Sequence, residues 1–373
     1  MVKTKVRYDV PLALLVALTT ALMPTVAISA TYYVGPDGND TTGNGSQSNP
    51  WRSIGHAVTK ASTSAVIKVM DDDNGATDDY VESITVNKSL TIERYNSTGP
   101  NPQVAASSVN SSVFSITADN VTIRGLDIYG AGQPGTAGID LANVKNCTIQ
   151  NNRCGWDSSH ENYCGIHLNS SSNNTLEGNT CNDNSEFGGI TPPMGMGYAI
   201  YLNSSSNNTL TGNTCSENGG GLSHDGYGIY LNSSNNNKII LGNKCESNGR
   251  AGIHLKSSSG NTLSGNTCTS NGDGLGFAGD GISLSSCSNN TISGNKCDDN
   301  EVAGISLDSS NNNKIISSNS CCSNGGLVLG YGVSLSASSN NTISGNTCKS
   351  NQAAMISDND SYRSTTNGIT GSV

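Results

Sequence analysis

The chain has 373 residues, of which 13% are charged and 5% are aromatic, and its formal net charge is −10 at pH 7. Gly, Ser, Asn and Thr dominate the composition, which excludes a conventional globule packed around large side chains. An acidic chain without runs of basic residues does not favour nucleic acid or anionic lipid as a partner. Ile, Leu and Cys recur at fixed offsets, which excludes an unpatterned disordered chain.

The first thirty residues have the features of a cleaved secretory signal. Lys3 and Arg7 precede an apolar stretch over residues 12–23, and small residues follow at 27–30. The apolar stretch is short for a bilayer span. We therefore predict that residues 1–30 are removed, which leaves an exported chain with a formal charge of −12 and no membrane span. A retained N-terminal anchor is the alternative interpretation.

A repeat of about two dozen residues begins at Gly138. Its cleanest copy contains Gly165-Ile166-His167-Leu168, then Leu176, then Gly178-Asn179-Thr180-Cys181. The later copies begin 34, 29, 24, 29, 23 and 28 residues apart, at Ile200, Ile229, Ile253, Ile282, Ile305 and Val333. A constant core with one variable connection indicates a solenoid whose insertions all emerge from one edge.

Each repeat contains three short strands, because Ile-x-Leu alternates with the period of a strand and two further apolar positions follow. Three strands per turn predict an all-β, triangular, single-stranded parallel β-helix with Ile, Leu and Cys stacked inside. Two copies, Lys238-Ile239-Ile240 and Lys314-Ile315-Ile316, carry one extra residue, which predicts a β-bulge or a widened turn.

One Asn per repeat occupies the tight turn before the third strand. Asn tolerates the left-handed conformation of a sharp bend, and its amide can bond to the same residue one rung away. We predict a structural role for this Asn ladder, which consists of Asn152, Asn179, Asn213, Asn243, Asn266, Asn295, Asn319 and Asn346.

One Cys per repeat points inward from the third strand. The members of this Cys ladder are Cys154, Cys181, Cys215, Cys245, Cys268, Cys297, Cys321 and Cys348. Buried thiols that pack as small apolar groups, and disulfides between rungs in an exported protein, both remain open. A metal column is less favoured, because a straight ladder supplies ligands from only one direction, and we predict no metal site. The other four cysteines, Cys147, Cys164, Cys287 and Cys322, are predicted to form bonds between loops or molecules.

The outward position between Ile and Leu carries the residues best suited to chemistry. The candidate catalytic residues in this column are Asp140, His167, Tyr201, Tyr230 and His254. The insertions that enter the same strand supply the candidate ligand-binding residues Trp156, His160, Glu161, His224 and Asp225. A Tyr and a His on neighbouring rungs suit removal and return of the C5 proton of a uronate, and aromatic rings suit sugar binding. Stacking that stabilises the coil without any ligand is the competing interpretation.

The repeat resembles the right-handed β-helix repeat of the pectate-lyase-like superfamily, including the accessory β-helix proteins of copper-enzyme maturation. The segments over residues 32–40, 49–54 and 84–92 are similar to that family as well. The resemblance implies a right-handed coil, a capping helix after Asn49-Pro50, and a sugar-binding cleft on the sheet that receives the insertions. We accordingly divide the chain into a signal peptide (1–30), an N-terminal cap (31–64), a β-helix (65–352) and a tail or incomplete last rung (353–373).

Two classes of function follow. The favoured one is a noncatalytic secreted or cell-envelope protein with a structural, self-assembling or adhesive role, which loosely resembles the β-helix and sheath-type proteins of methanogen envelopes. The alternative is a uronate lyase, a C5-epimerase or a noncatalytic glycan binder. The expected partners are the protein itself and cell-surface glycans, and nucleic acid is not expected. No cofactor is predicted, and a calcium ion would accompany only the polysaccharide-acting alternative.

Overall fold

A computed structural model describes residues 29–71, 80–185, 196–219, 225–272, 279–326, 330–353, 356–359 and 365–367. Nearly all of the predicted signal peptide therefore lies outside the described residues. The fold is a parallel β-helix, in which each turn adds a short strand or a single β-bridge to each of three stacks. No helix in the described ranges is long and apolar enough to cross a membrane.

Sheet 1 carries the middle apolar position of each repeat. Its thirteen strands pair in parallel. They are β1 (Thr31–Val34), β2 (Val66–Val69), β5 (Thr91–Arg94), β8 (Thr122–Arg124), β11 (Thr148–Gln150), β14 (Thr175–Glu177), β16 (Thr209–Thr211), β18 (Lys238–Ile240), β21 (Thr262–Ser264), β24 (Thr291–Ser293), β26 (Lys314–Ile316), β28 (Thr342–Ser344) and β30 (Thr365–Asn367).

Sheet 2 carries the Ile-x-Leu strands and receives the insertions. Its eleven strands also pair in parallel. They are β4 (Ile84–Val86), β7 (Phe114–Ile116), β10 (Ile139–Ala142), β13 (Cys164–Asn169), β15 (Gly197–Asn203), β17 (Gly226–Asn232), β20 (Ala251–Lys256), β23 (Asp280–Ser285), β25 (Ala303–Asp308), β27 (Tyr331–Ser336) and β29 (Ile356–Asn359).

Sheet 3 has fewer full strands than the other two sheets. Where a rung lacks a full strand, a single parallel β-bridge joins it to its neighbour, as between Arg153 and Thr180 and between Ser320 and Thr347. Its strands are β3 (Tyr80–Val81), β6 (Gln103–Ala105), β9 (Asp127–Tyr129), β12 (Arg153–Cys154), β19 (Lys244–Glu246) and β22 (Thr267–Thr269). All three faces of the predicted triangular coil are therefore present.

The interior consists of the predicted apolar columns. Ile166 pairs with Ile200, and Ile200 pairs with Ile229, in strict register, and all three side chains are fully buried. The extra residue at Lys238–Ile240 does not disturb the strand, which pairs in register on both sides. It widens the following turn, where Leu241 has a φ of 55° and is 70% exposed. The widened turn is therefore the correct one of the two alternatives.

The one helix in the described ranges, α1 (Ile54–Lys60), follows Asn49-Pro50 as the resemblance implied. Its N-cap is Ser53, whose hydroxyl accepts a backbone N–H of the first turn. The Glu82 carboxylate accepts two further N–H groups there, each at 2.8 Å. Asn49 and Pro50 precede this cap and do not start the helix, because the unpaired N–H groups at a helix start bind to the nearest available side-chain oxygens, which here belong to Ser53 and Glu82.

The Asn ladder forms as predicted, although one reason given for it is wrong. Each amide donates to the same Asn on the next rung, for example Asn179 Nδ2 to Asn213 Oδ1 at 3.0 Å. The left-handed residue of the turn is the preceding Gly, such as Gly178 or Gly212 with φ of 63°, whereas the ladder Asn has a negative φ. Gly takes this role because it has no Cβ to clash in that conformation.

Sequence inspection found one of four polar ladders. Two further Asn columns bond from rung to rung, and they consist of Asn174, Asn208, Asn237, Asn261, Asn290, Asn313 and Asn341, and of Asn162, Asn184, Asn218, Asn248, Asn271, Asn300, Asn324 and Asn351. A column of serines from Ser171 to Ser338 also links the rungs. Each hydroxyl accepts the backbone N–H of the equivalent residue on the preceding rung, and Cys287 replaces one Ser. The buried turn backbone is paired by these side chains.

The Cys ladder is fully buried, and all twelve cysteines, which all lie in the described ranges, are free thiols. Burial raises the thiol pKa of Cys154, Cys215, Cys268 and Cys297 well above the usual value. Cys147, Cys164 and Cys287 are also buried, so the expectation that they bond other loops or molecules is wrong. Only Cys322 is partly exposed among the twelve.

Candidate functional site

The outer face of sheet 2 carries the predicted polar column in register. We call the residues Asp140, His167, Tyr201, Tyr230, His254 and Ser283 the first outer column. A second outer column lies three residues earlier on the same strands and consists of Cys164, Tyr198, Tyr227, Ala251 and Asp280. The two columns together form the candidate site.

Four tyrosines at the centre of the site stack on one another. The Tyr198 ring lies 5.0 Å from the Tyr201 ring and 5.7 Å from the Tyr227 ring, with interplanar angles of 20° and 8°. Tyr230 completes the group at 5.1 Å from both Tyr201 and Tyr227. The ring faces contact each other, so they are not open to a ligand.

Burial makes the tyrosine hydroxyls poor acids. It raises the pKa of Tyr227 and Tyr230 to about 12. The pKa of Tyr201 is also raised, mainly by burial. These phenols are protonated at neutral pH, and each can donate a hydrogen bond.

His167 and Asp140 form a pair at one end of the stack. His167 Nδ1 lies 2.9 Å from Asp140 Oδ1, and its ring stacks on Tyr201 with centroids 5.0 Å apart. His167 Nε2 is buried and has no hydrogen-bond partner in the described structure. If Nδ1 carries the proton that Asp140 accepts, Nε2 is an acceptor without a donor.

A small cavity lies at the other end of the stack. Its volume is about 160 Å³, and its lining includes Tyr227, Arg250, His254, Asp280 and Ser283. Burial, followed by the charge of Arg250, lowers the pKa of His254 to about 4, so this imidazole is neutral at pH 7. Burial raises the pKa of Asp280 to about 6, and Asp280 Oδ1 is buried without a hydrogen-bond partner in the described ranges. A neutral base, a cation and a carboxyl group thus meet in one cavity.

The predicted ligand-binding residues of the insertions divide into separate places. Trp156 stacks on His160 at 4.5 Å, and both rings contact Tyr129. Glu161 accepts a hydrogen bond from Ser185. Only Asp225 reaches the cavity, through its ion pair with Arg250 at 2.8 Å.

His224 lies outside the described residues, so nothing in the structure tests its predicted place beside the site.

Two protein families match the sequence of this chain. Residues 69–273, more than half of the chain, match the family described as periplasmic copper-binding protein (NosD). The chain belongs to the NosD family. Residues 221–369 match the family described as right handed beta helix region. The predicted right-handed parallel β-helix is thereby confirmed. No curated protein matches the sequence.

Solved structures similar to this NosD-family chain include a tailspike protein and two epimerases. The Dettilon tailspike protein (gp208) shares 15% identity at a TM-score of 0.57, covering 85% of this chain and 62% of its own. The periplasmic alginate epimerase AlgG shares 16% identity at a TM-score of 0.55, covering 87% and 84%. The A-module of the Azotobacter vinelandii mannuronan C-5 epimerase AlgE4 shares 15% at 0.54, covering 81% and 91%. At such identities these likenesses show the fold alone.

The family description names copper, and a copper site would need several donor side chains that lie close together. The described ranges contain no group of three or more His, Cys, Asp or Glu side chains placed to hold a metal ion. Burial raises the pKa of the ladder thiols Cys154 and Cys268, which opposes the thiolate form that binds metal, although hydrogen bonds from Cys215 and Cys268 outweigh burial at Cys245 and lower its pKa to about 5. The described residues therefore do not fit a copper site.

The sequence analysis missed Tyr198, Tyr227, Arg250 and Asp280. Three of them lie two residues before an inward Ile, where strict alternation would point them into the core, so the period of two did not reveal them. Arg250 had no sequence signal either. It belongs to a connection rather than to a strand, and only the fold brings it beside Tyr227, with its guanidinium 5.9 Å from that ring.

Proposed function

We propose that the chain is an exported, adhesive β-helix protein that binds a saccharide along the outer face of sheet 2 without chemical turnover. The observation that carries the proposal is the pair of buried atoms without partners, His167 Nε2 and Asp280 Oδ1, at the two ends of the tyrosine stack. Unpartnered buried polar atoms are costly, and a ligand rich in hydroxyls supplies the missing hydrogen bonds. The two atoms belong to strands four rungs apart, which is about 19 Å.

The stack between these atoms suits the same ligand. The hydroxyls of Tyr201 and Tyr230 lie on successive rungs, so they repeat along the axis at about 4.8 Å. An extended saccharide that follows this axis would meet one donor per rung. Export agrees with the predicted signal peptide and with the word periplasmic in the NosD and AlgG descriptions.

Affinity electrophoresis in gels that contain alginate, polygalacturonate or a neutral β-glucan tests this function. We expect retardation by at least one polymer, and Tyr201→Phe combined with Tyr230→Phe should weaken it about tenfold, since two hydrogen bonds are lost. Tyr331→Phe is the control, because Tyr331 lies in the register of the second outer column but outside the stack. Equal retardation of the control and the double variant would contradict the proposal.

Uronate-directed catalysis is the second candidate, and the cavity beside His254 favours it. Neutral His254 can accept a proton, while Arg250 can neutralise the carboxylate of a uronate and so acidify its C5 proton. The buried carboxyl of Asp280 is largely ionised above about pH 6 and would oppose that carboxylate, which is why we rank this function second.

The catalytic alternative is tested by incubating the protein with alginate or polygalacturonate in D₂O. Epimerisation would place deuterium at C5, and elimination would produce an unsaturated product that absorbs ultraviolet light. Either signal, if abolished by His254→Gln and retained by His160→Gln, would replace the noncatalytic proposal. Absence of both signals from a preparation that still binds the polymer would leave binding as the function.

A further inference from the structure

We infer that a second face of the coil, distant in sequence from the tyrosine stack, binds an anionic saccharide chain. The site is a groove that crosses the turn between sheets 1 and 3 in the N-terminal half of the coil. We call it the arginine groove, and its cationic side chains are Lys68, Arg94, Arg124 and Arg153.

The groove is large and continuous. One part has a volume of about 720 Å³, and an adjoining part has a volume of about 460 Å³. The two parts share Arg94, Asn101 and Asn151 in their walls. The lining extends from Lys68 in β2 to Thr180, which is five rungs, or about 19 Å along the axis. A ligand here would be a chain of several units rather than a small ion.

Buried carboxylates hold the cations in place. Glu93 is 5% exposed and pairs with both Lys68 and Arg124, whose side chains remain 30% and 50% exposed. Asp127 is 3% exposed and pairs with Arg153, which remains 40% exposed. The carboxylates therefore lie below the surface while the cations extend into the groove.

The balance of charge leaves the groove positive in an acidic protein. Four cations face two carboxylates, and both carboxylates are already paired. Arg94 has no carboxylate partner in the described ranges and donates instead to Asn101 Oδ1 at 2.7 Å and to the Ser97 carbonyl. The Asn101 amide in turn donates to Asp127 at 2.8 Å. This network fixes the segment over residues 95–102 as one wall of the groove.

Gly125, in the turn at the floor of the arginine groove, leaves space for the Arg94 side chain. A Cβ on Gly125 would lie 3.0 Å from two side-chain carbons of Arg94, and Gly125 has a φ of 73°. The absence of a side chain lets Arg94 lie across the turn. The guanidinium therefore reaches the groove instead of being displaced from it.

The remaining lining favours a saccharide over a bare anion. Tyr95 is 40% exposed at the rim, and Asn96, Asn101 and Asn151 present amides inside. Guanidinium groups bind carboxylates through two parallel hydrogen bonds, while amides and an exposed ring suit sugar hydroxyls and apolar ring faces. A polyuronate combines these features, since it carries a carboxylate on each sugar.

Isothermal titration calorimetry of the whole protein with an oligogalacturonate tests the inference. We expect binding that weakens as salt rises, and a loss of affinity of at least tenfold in Arg94→Gln combined with Arg124→Gln. Lys238→Gln combined with Lys314→Gln is the matched control, because it removes the same charge from exposed positions farther along sheet 1. Thermal unfolding of each variant verifies that the fold is retained.

Three other ligands, titrated in the same way, test whether the arginine groove is selective for an anionic saccharide. Inorganic phosphate and a neutral oligosaccharide should each bind at least tenfold more weakly than the oligogalacturonate. Equal binding of a single-stranded DNA oligonucleotide would overturn the saccharide assignment in favour of a general polyanion site, and an equal loss of affinity in the control variant would overturn the site itself. The Tyr201→Phe and Tyr230→Phe variants should retain the affinity of the arginine groove for the oligogalacturonate. Loss of saccharide binding at sheet 2 can therefore be distinguished from loss of binding at the groove.

Discussion

Removal of one side chain from the middle of the Asn ladder gives the sharpest test of how the coil is held together. Asn213 is fully buried, and its amide makes four hydrogen bonds of 3.0 Å each. Asn213→Ala removes all four and leaves the Asn179 N–H and the Leu176 carbonyl buried without these partners. At about 1 kcal/mol for each lost bond, we expect the free energy of unfolding to fall by about 3–5 kcal/mol.

Urea unfolding followed by circular dichroism measures this loss, and hydrogen exchange measures where it occurs. The Asn179 amide should exchange much faster in the variant, because its acceptor is gone. Asn232→Ala is the control, since the Asn232 side chain is half-buried, makes a 3.3 Å bond to Asn203 and one to the Tyr201 hydroxyl, and should cost less than about 1 kcal/mol because water can replace these partners. If the two variants unfolded within 1 kcal/mol of each other, the ladder would not hold the turns as argued.

Three further results are expected. Leu210→Ala should cost about 2–5 kcal/mol in urea unfolding, because Leu210 is fully buried, whereas the neighbouring Thr211→Ala should cost little. The pKa of Asp280 is raised to about 6 in the folded protein, so the folded state holds this proton more tightly than the unfolded chain does. Wild type should therefore lose about 2 kcal/mol of unfolding free energy relative to Asp280→Asn as pH rises from about 4 to about 6. Urea unfolding of both proteins at the two pH values measures this difference. Under native conditions alkylation should label Cys322 first, and after denaturation without reductant mass spectrometry should find all twelve thiols labelled; fewer labelled thiols would indicate disulfides.

The fold was predictable because its determinants recur. The period of two in Ile-x-Leu and the constant spacing to Gly-Asn-x-Cys define three strands and two turns in every copy. Errors arose where a single residue decided the outcome. The start of α1 depends on Ser53 and Glu82, which lie 29 residues apart in the chain, so the local pattern around Asn49-Pro50 indicated a helix but not its first residue.

The candidate site was predictable only along the strands. The first outer column follows from alternation within each copy, whereas the cavity at His254 also needs Arg250 from a connection. The arginine groove had no sequence signal at all. Lys68 and Arg153 are 85 residues apart, and the chain contains no run of basic residues, yet the coil brings them to one surface. Charge clusters on a solenoid therefore follow the rungs and not the sequence.

The Cys ladder and the Gly of the Gly-Ile motif explain each other by packing. A Cβ on Gly252 would lie 2.9 Å from the Cβ of Cys268, and a Cβ on Gly304 would lie 2.7 Å from that of Cys321. Sheets 2 and 3 thus approach so closely at this corner that the sheet 3 residue must be small and apolar. Cys meets that requirement. The ladder therefore has a structural reason that needs neither a disulfide nor a metal, and function is better sought on the two outer faces, where polar side chains still lack partners.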